Sequence, residues 1–334
     1  MDRFLIGLLA VYAAIALGIA LWSLITRGER AARRASVQAG LALPEEPLRS
    51  TVISRLRTTL RWTSCSATVG ALLGIGMCVV VAANRESQPG DTGFIWLAFA
   101  GFVLGGSVGA VLAVITAKAP EVTGRPRIAR SARRELGDYL DAVELNGARV
   151  VAALGTACAA AALILPPTTI FASPTPTLAI VLAATGLIGW AILELGGRYI
   201  VLARPRIAES EAELAWDDAF RAADLRRLAS AVLMSSGYAI AFSGLPLLAE
   251  ATRGIFVGSA MSLVANVSFY VFLAILVAAM VLVLRRDPAH HYLRRLWPEI
   301  APQNTAAAAD ARVAAAQAAA NAHADTTRGE ETTR

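Results

Sequence analysis

Lysine is nearly missing from this chain: of its 31 basic residues only Lys118 is lysine, and the others are arginine. With so much alanine, that is the composition of a GC-rich, actinobacterial-type genome and carries no chemistry of its own. The three cysteines (Cys65, Cys78, Cys158) and three histidines (His290, His291, His323) lack the paired spacing that a disulfide framework or a zinc site needs. Charge is scarce too. Only 17% of residues are charged, where an average soluble domain carries about 25%. Apolar residues make up 56% of the chain and its mean hydropathy is +0.56. A soluble enzyme, a secreted disulfide scaffold and a disordered chain are thereby excluded.

Catalytic signatures are missing as well. There is no HExxH and no glycine-rich phosphate loop ending in Lys-Ser/Thr. No apolar run pairs a serine with a histidine. Asp217 and Asp218 are adjacent, so on a helix they do not share a face for a metal. No catalytic residue, metal or cofactor is expected. An isoelectric point near 9.7 and a formal charge of +6 suit arginines facing anionic lipid. Nothing interleaves aromatics with basic residues, so no nucleic acid is expected.

What the chain does have is long apolar runs, of a length that crosses a bilayer. They fall at 4–26, 62–83, 94–116, 150–172, 178–203, 228–248 and 263–284, which predicts an all-α, polytopic membrane bundle of seven spans. The first run has a neutral N-terminal flank and a basic C-terminal one, the reverse of a cleavable signal. Arginine and lysine then set the orientation. Segments 27–61, 117–149, 198–227 and the tail from 285 hold 28 of the 31, and the alternate segments hold only Arg3, Arg85 and Arg253. Positive charge stays in the cytoplasm, so the N-terminus is expected outside and the C-terminus inside a bacterial inner membrane. Residues 254–262 are expected to lie along the outer surface or form a separate short helix, with Asn266 near the mouth of the last span.

The segment Arg125-Pro126-Arg127-Ile128-Ala129 recurs as Arg204-Pro205-Arg206-Ile207-Ala208. Beyond it Ser131 matches Ser210, and after a two-residue deletion Asp141 and Arg149 match Asp218 and Arg226. The pattern predicts parallel repeats of a cytoplasmic helix plus a membrane hairpin. The organisation is a first span at 1–26, units at 44–119, 120–200 and 204–285, and an interfacial, alanine-rich tail at 286–334. Helix is expected at Asp287–Leu296 and Ala306–Ala322.

Candidate functional residues follow from these elements. Gly70 and Gly74 in the second span, and Gly101, Gly105 and Gly109 in the third, recur every four residues and clear a face for close helix packing. Glu194 is the one acid well inside a run, with Arg198 one turn on in the favourable order for an ion pair. Ser235, Ser236 and Tyr238, with Ser243, give the sixth span a polar edge; with Glu194 and Arg198 they are the expected lining of any cavity. Leu136, Tyr139 and Val143 share one face of a cytoplasmic helix, and Trp216 and Phe220 share another. These five form the expected face for a membrane or cytosolic protein partner. The reading is a non-catalytic membrane subunit or scaffold; the alternative is a transporter with a path between repeats, and the third is a lipid-directed enzyme.

Overall fold

Two long apolar stretches joined in the sequence by a short polar one close into a helical hairpin. The computed structural model describes residues 7, 10–18, 21, 28–46, 48–83, 95–116, 134–164, 175–203, 208, 210–244, 247 and 290–299. Among these the fold is all-α. The helices are α1 (Gly28–Ala39), α2 (Leu48–Ala83), α3 (Ile95–Ile115), α4 (Leu136–Tyr139), α5 (Ala142–Ile164), α6 (Thr175–Ala191), α7 (Glu211–Ala239) and α8 (His291–Leu296). Wider π-helical turns extend α6 over Ile192–Leu202 and α7 over Ile240–Gly244.

Among the described residues, four stretches are long and apolar enough to cross a membrane: Leu48–Val80, Ala98–Ile115, Ala142–Ile164 and Ile180–Tyr199. They overlap the second to fifth runs of the sequence. The seventh run, residues 254–262, the Arg-Pro-Arg steps, Pro166-Pro167, Pro246 and the tail beyond 299 lie outside the described residues. Of the first run, residues 10–18 are helical and reach the hairpin: Thr68 donates to the Ala16 carbonyl at 3.1 Å, and Tyr12 to that of Ala98 at 3.3 Å. Large apolar side chains point outward along the spans, among them Leu73 (69% exposed) and Ile164 (78% exposed). A bundle solvated by lipid needs no polar outer face.

α2 is a single helix of 36 residues, about 54 Å long at 1.5 Å per residue, so its basic first third and its apolar remainder form one rod. α1 stops at Gly40, whose φ of +64° is the left-handed turn that favours glycine. Leu41 N–H donates to Ser36 O and Gly40 N–H to Val37 O, satisfying the last carbonyls of α1. A side chain at Gly40 would also strike the His290 ring at 2.9 Å. The segment 290–297 is therefore seated on this corner, and the Tyr292 hydroxyl donates to Ala39 O at 2.8 Å. Burial pushes the Tyr292 phenol well above its ordinary range.

One expectation is corrected here. The spacing of Leu136, Tyr139, Leu140 and Val143 predicts a continuous helix, but the chain breaks at Leu140, which is extended (φ −111°, ψ 137°). Leu136 and Tyr139 sit inside the core at 4% and 0% exposure, and Val143, on the next helix, is 38% exposed. Tyr139 is buried against α7, and tertiary packing of this kind overrides local helix propensity, strong as it is for Leu140. α7 is the central element: it packs on α3, α5 and α6, and its N-terminal half meets α4 and α8. Ser210 starts it by accepting the Glu213 N–H at 3.2 Å, and Glu211 and Glu213 complement the helix dipole.

Candidate functional site

The N-terminal half of α7 carries Asp217, Asp218, Arg221, Asp224 and Arg227, where five other elements converge. Asp217, Arg221 and Asp224 follow one another at i, i+4 and i+7, hence along one face. Arg221, 2% exposed, donates from Nε to Asp217 at 2.7 Å and from Nη1 to the Val201 carbonyl at 2.9 Å. Val201 O is one of the last carbonyls of the π-helical turns after α6, where a cation offsets the negative end of the helix dipole. Asp224 accepts Arg55 Nη2 at 3.0 Å, from α2, and Arg227 Nη1 at 2.7 Å. Arg55 also stands 3.7 Å from Asp217 and lies over the Phe220 ring at 4.3 Å. Burial lowers the Arg227 guanidinium below its ordinary value, against the pull of Asp224.

Asp218, fully buried, faces a different set of partners. The Tyr139 hydroxyl donates to it at 2.7 Å and the Trp297 indole N–H at 3.3 Å. Glu144 of α5 lies 3.3 Å from Arg226 Nε. Buried charges are costly unless paired and hydrogen-bonded. Each carboxylate in this group therefore meets a cation or a neutral donor from another element. Among the described residues no three His, Cys, Asp or Glu side chains gather into a metal-sized cluster.

The residues singled out in the sequence fall into three places. The glycines meet across α2 and α3. A Cβ on Gly70 would press on the Gly101 carbonyl and lie 2.8 Å from Gly105 Cα; one on Gly101 would lie 2.9 Å from Gly74 Cα. A Cβ on Gly109 would come within 2.7 Å of the Trp62 carbonyl. The backbones of these two helices thus touch along about three turns.

Glu194 lies on the π-helical turns after α6, and Arg149 of α5 places both Nε and Nη2 2.6 Å from one of its oxygens. Arg198 takes the other oxygen at 3.3 Å. Arg149 is the partner that local spacing could not supply.

Ser235, Ser236 and Tyr238 sit where α5, α6 and α7 cross. Ser235 donates to Ala231 O at 2.8 Å, one turn back. Ser236 is buried against two glycines: an added Cβ on Gly155 would be 2.9 Å from the Ser236 carbonyl, and one on Gly186 would strike the Ser236 hydroxyl. Tyr238 packs on a small cluster that includes Ala100, Leu182 and Ala239. The polar edge of the sixth run is thus held inside a close helix crossing.

The expected partner face is taken up by the chain itself. Leu136, Tyr139, Trp216 and Phe220 belong to the main core, at 0–8% exposure, and only Val143 is exposed. Their periodicity marks burial against α7, α8 and α2, because a helix stripe reads the same whether its cover is its own chain or another. The Arg55–Asp224 and Tyr139–Asp218 pairs span 169 and 79 residues. The acid-base-acid order at 217, 221 and 224 was the available sign that this face of α7 is an ion-paired one. No family model, no curated protein and no solved structure matches the chain.

Proposed function

We propose that this chain is a non-catalytic, multi-pass subunit of a bacterial inner membrane, with seven spans, its N-terminus outside, and its C-terminus and arginine-rich segments in the cytoplasm. The single observation that carries the reading is the state of four carboxylates at these crossings, two of them buried (Asp218 and Asp224) and two half-buried (Asp217 and Glu194). Asp217, Asp218, Asp224 and Glu194 are each held at 3.3 Å or less by a guanidinium, a phenol or an indole. Such groups brace elements against one another; a general acid or base needs a proton it can exchange with substrate. The close crossing at Ser236, Gly155 and Gly186 favours the subunit over the transporter, because the polar edge that would line a path is packed on backbone. In this reading the units at 44–119, 120–200 and 204–285 are parallel repeats, with α4–α5 and α7 as corresponding pieces. The first is broken at Leu140, and the second runs straight.

The outward apolar faces, at Leu73, Met77 and Val80 on α2 and at Val150 and Leu154 on α5, would meet lipid or a partner span. Purifying the tagged chain from its native membrane in mild detergent tests this. A partner co-eluting at fixed stoichiometry through size exclusion is expected. A chain that elutes alone and carries solute flux in proteoliposomes would refute it in favour of the permease.

A further inference from the structure

Between α4 and α8 lies an open groove of about 600 Å³, lined by Arg134, Asp138, His291, Arg294, Arg295 and Pro298. Three guanidiniums and an imidazole here face one carboxylate, and that carboxylate is already engaged. Asp138 accepts the Glu135 backbone N–H at 2.9 Å and Arg295 Nε at 3.1 Å. Burial alone would raise its carboxyl, but the Glu135 amide and Arg295, with the nearby charge of Arg134, hold it below the ordinary value. His291 Nε2 stands 3.0 Å from the Gly137 carbonyl, which pins the ring at the wall of the groove. The Nε of Arg134 is buried and has no hydrogen-bond partner among the described residues. The orphaned Arg134 N–H, at the wall of a groove whose described lining is mostly cationic, calls for an anion, since an unmade bond to a buried charged group is costly.

We propose that this groove binds a phosphate group, gripped by Arg134 and Arg294 with Arg295 and His291 alongside. The planar fork of a guanidinium matches paired phosphate oxygens, and the fixed positive charge suits an anion that stays ionised. Asp138 lies four residues ahead of the candidate span Ala142–Ile164, which for a chain in a bilayer is headgroup depth. The phosphate diester of an anionic phospholipid and a free inorganic phosphate share this chemistry. The lipid source rests on the membrane reading above; the excess of positive charge in the groove does not.

The test uses the full chain in detergent and two probes. In one arm, mixed micelles offer phosphatidylglycerol against phosphatidylcholine, and retained lipid is counted by native mass spectrometry. In the other, inorganic phosphate is added without lipid and the thermal midpoint is compared with chloride at equal ionic strength. The variants are Arg134→Gln with Arg294→Gln, and Arg57→Gln as a control on an exposed arginine of α2. Phosphatidylglycerol is expected to be retained about tenfold over phosphatidylcholine, lost in the double variant and kept in the control. Stabilisation by inorganic phosphate that the double variant loses, with no preference between the two lipids, supports the site and assigns it to free phosphate. If the double variant does not fold, Arg134→Gln alone is read, since its Nε holds no bond in the protein. Equal behaviour of wild type and variant with both probes overturns the proposal. Loss of the co-eluting partner described above with phosphate binding intact would sink the subunit reading and leave this one standing.

Discussion

The α2–α3 hairpin and the base of α7 are held together by opposite means. In the hairpin, polar side chains play no part at the closest contacts: glycine faces glycine, and carbonyls lie where side chains would otherwise be. At the base of α7 the contacts are made by the longest polar side chains, Arg55, Arg221 and Arg227, reaching across helices to aspartates. In the proposed membrane setting, the difference follows the surroundings. Lipid offers no hydrophobic gain for pairing two apolar helices, so close van der Waals fit does the work and small residues allow it. Beyond the hydrocarbon, guanidiniums and carboxylates can fold in together, provided every charge finds a partner. Shape holds one region and charge balance holds the other.

The sharpest way to break the hairpin is Gly105→Leu. A side chain there meets the Ser66 carbonyl and Gly70 Cα, both backbone, so neither yields. The cost is expected to exceed about 3 kcal/mol, the upper end for overpacking, and folded protein is expected to vanish from size exclusion. Gly76→Ala is the contrast, because nothing lies within 4 Å of its added Cβ. Replacing a helical glycine there is expected to stabilise by about 0.5–1 kcal/mol, read as a raised thermal midpoint. Equal effects at the two positions would mean that the two helices do not touch as described.

At the other end, Asp224→Ala leaves Arg55 and Arg227 without their shared carboxylate. Breaking such a buried pair on one side costs about 3–5 kcal/mol, and thermal unfolding in detergent reads it. Converting Asp217 and Arg221 together to Leu and Met should cost much less than either alone; a sum of the single effects would argue against coupling. A smaller loss, about 0.5–2 kcal/mol, is expected for Phe220→Leu, which keeps an apolar side chain but removes the ring under Arg55.

How far the sequence reached differs between the same two regions. The glycines at 70, 74, 101, 105 and 109 are a local pattern, and a local pattern announces a helix face before any partner is known. Four of the seven apolar runs reappear in helices of spanning length for the same reason: their length and hydropathy are properties of contiguous residues. The charged base was opaque. Nothing near Asp218 in the chain points to Tyr139 or Trp297, and nothing near Arg55 points to Asp224, because those partners come together only after the bundle forms. Leu136, Tyr139, Trp216 and Phe220 were legible as apolar stripes, but periodicity does not say whose surface covers them. The break at Leu140 is likewise a tertiary decision, made by the burial of Tyr139.

The weakest expected effect concerns α8. Asp138 is held below its ordinary value by the Glu135 amide and by Arg295. A carboxylate so lowered stabilises the folded state above its unfolded value, near 3.8, and that contribution fades as the pH falls through the lowered folded value. Docking of residues 290–297 onto α4 is therefore expected to loosen in acid, seen as faster amide exchange in α8, and Asp138→Asn should loosen it at neutral pH. With Arg295 63% exposed, the pair contributes at most about 1 kcal/mol and weakens with salt.

The claim that the rest depends on is that the charged base of α7 and the loop between α2 and α3 lie on opposite sides of a membrane. Single cysteines at Ala212 and Gln88, in a chain whose Cys65, Cys78 and Cys158 are changed to serine, decide it with a membrane-impermeant thiol reagent. Gln88→Cys is expected to be labelled in intact cells, and Ala212→Cys only after the membrane is opened. Labelling of both from the outside, or of neither, would contradict it.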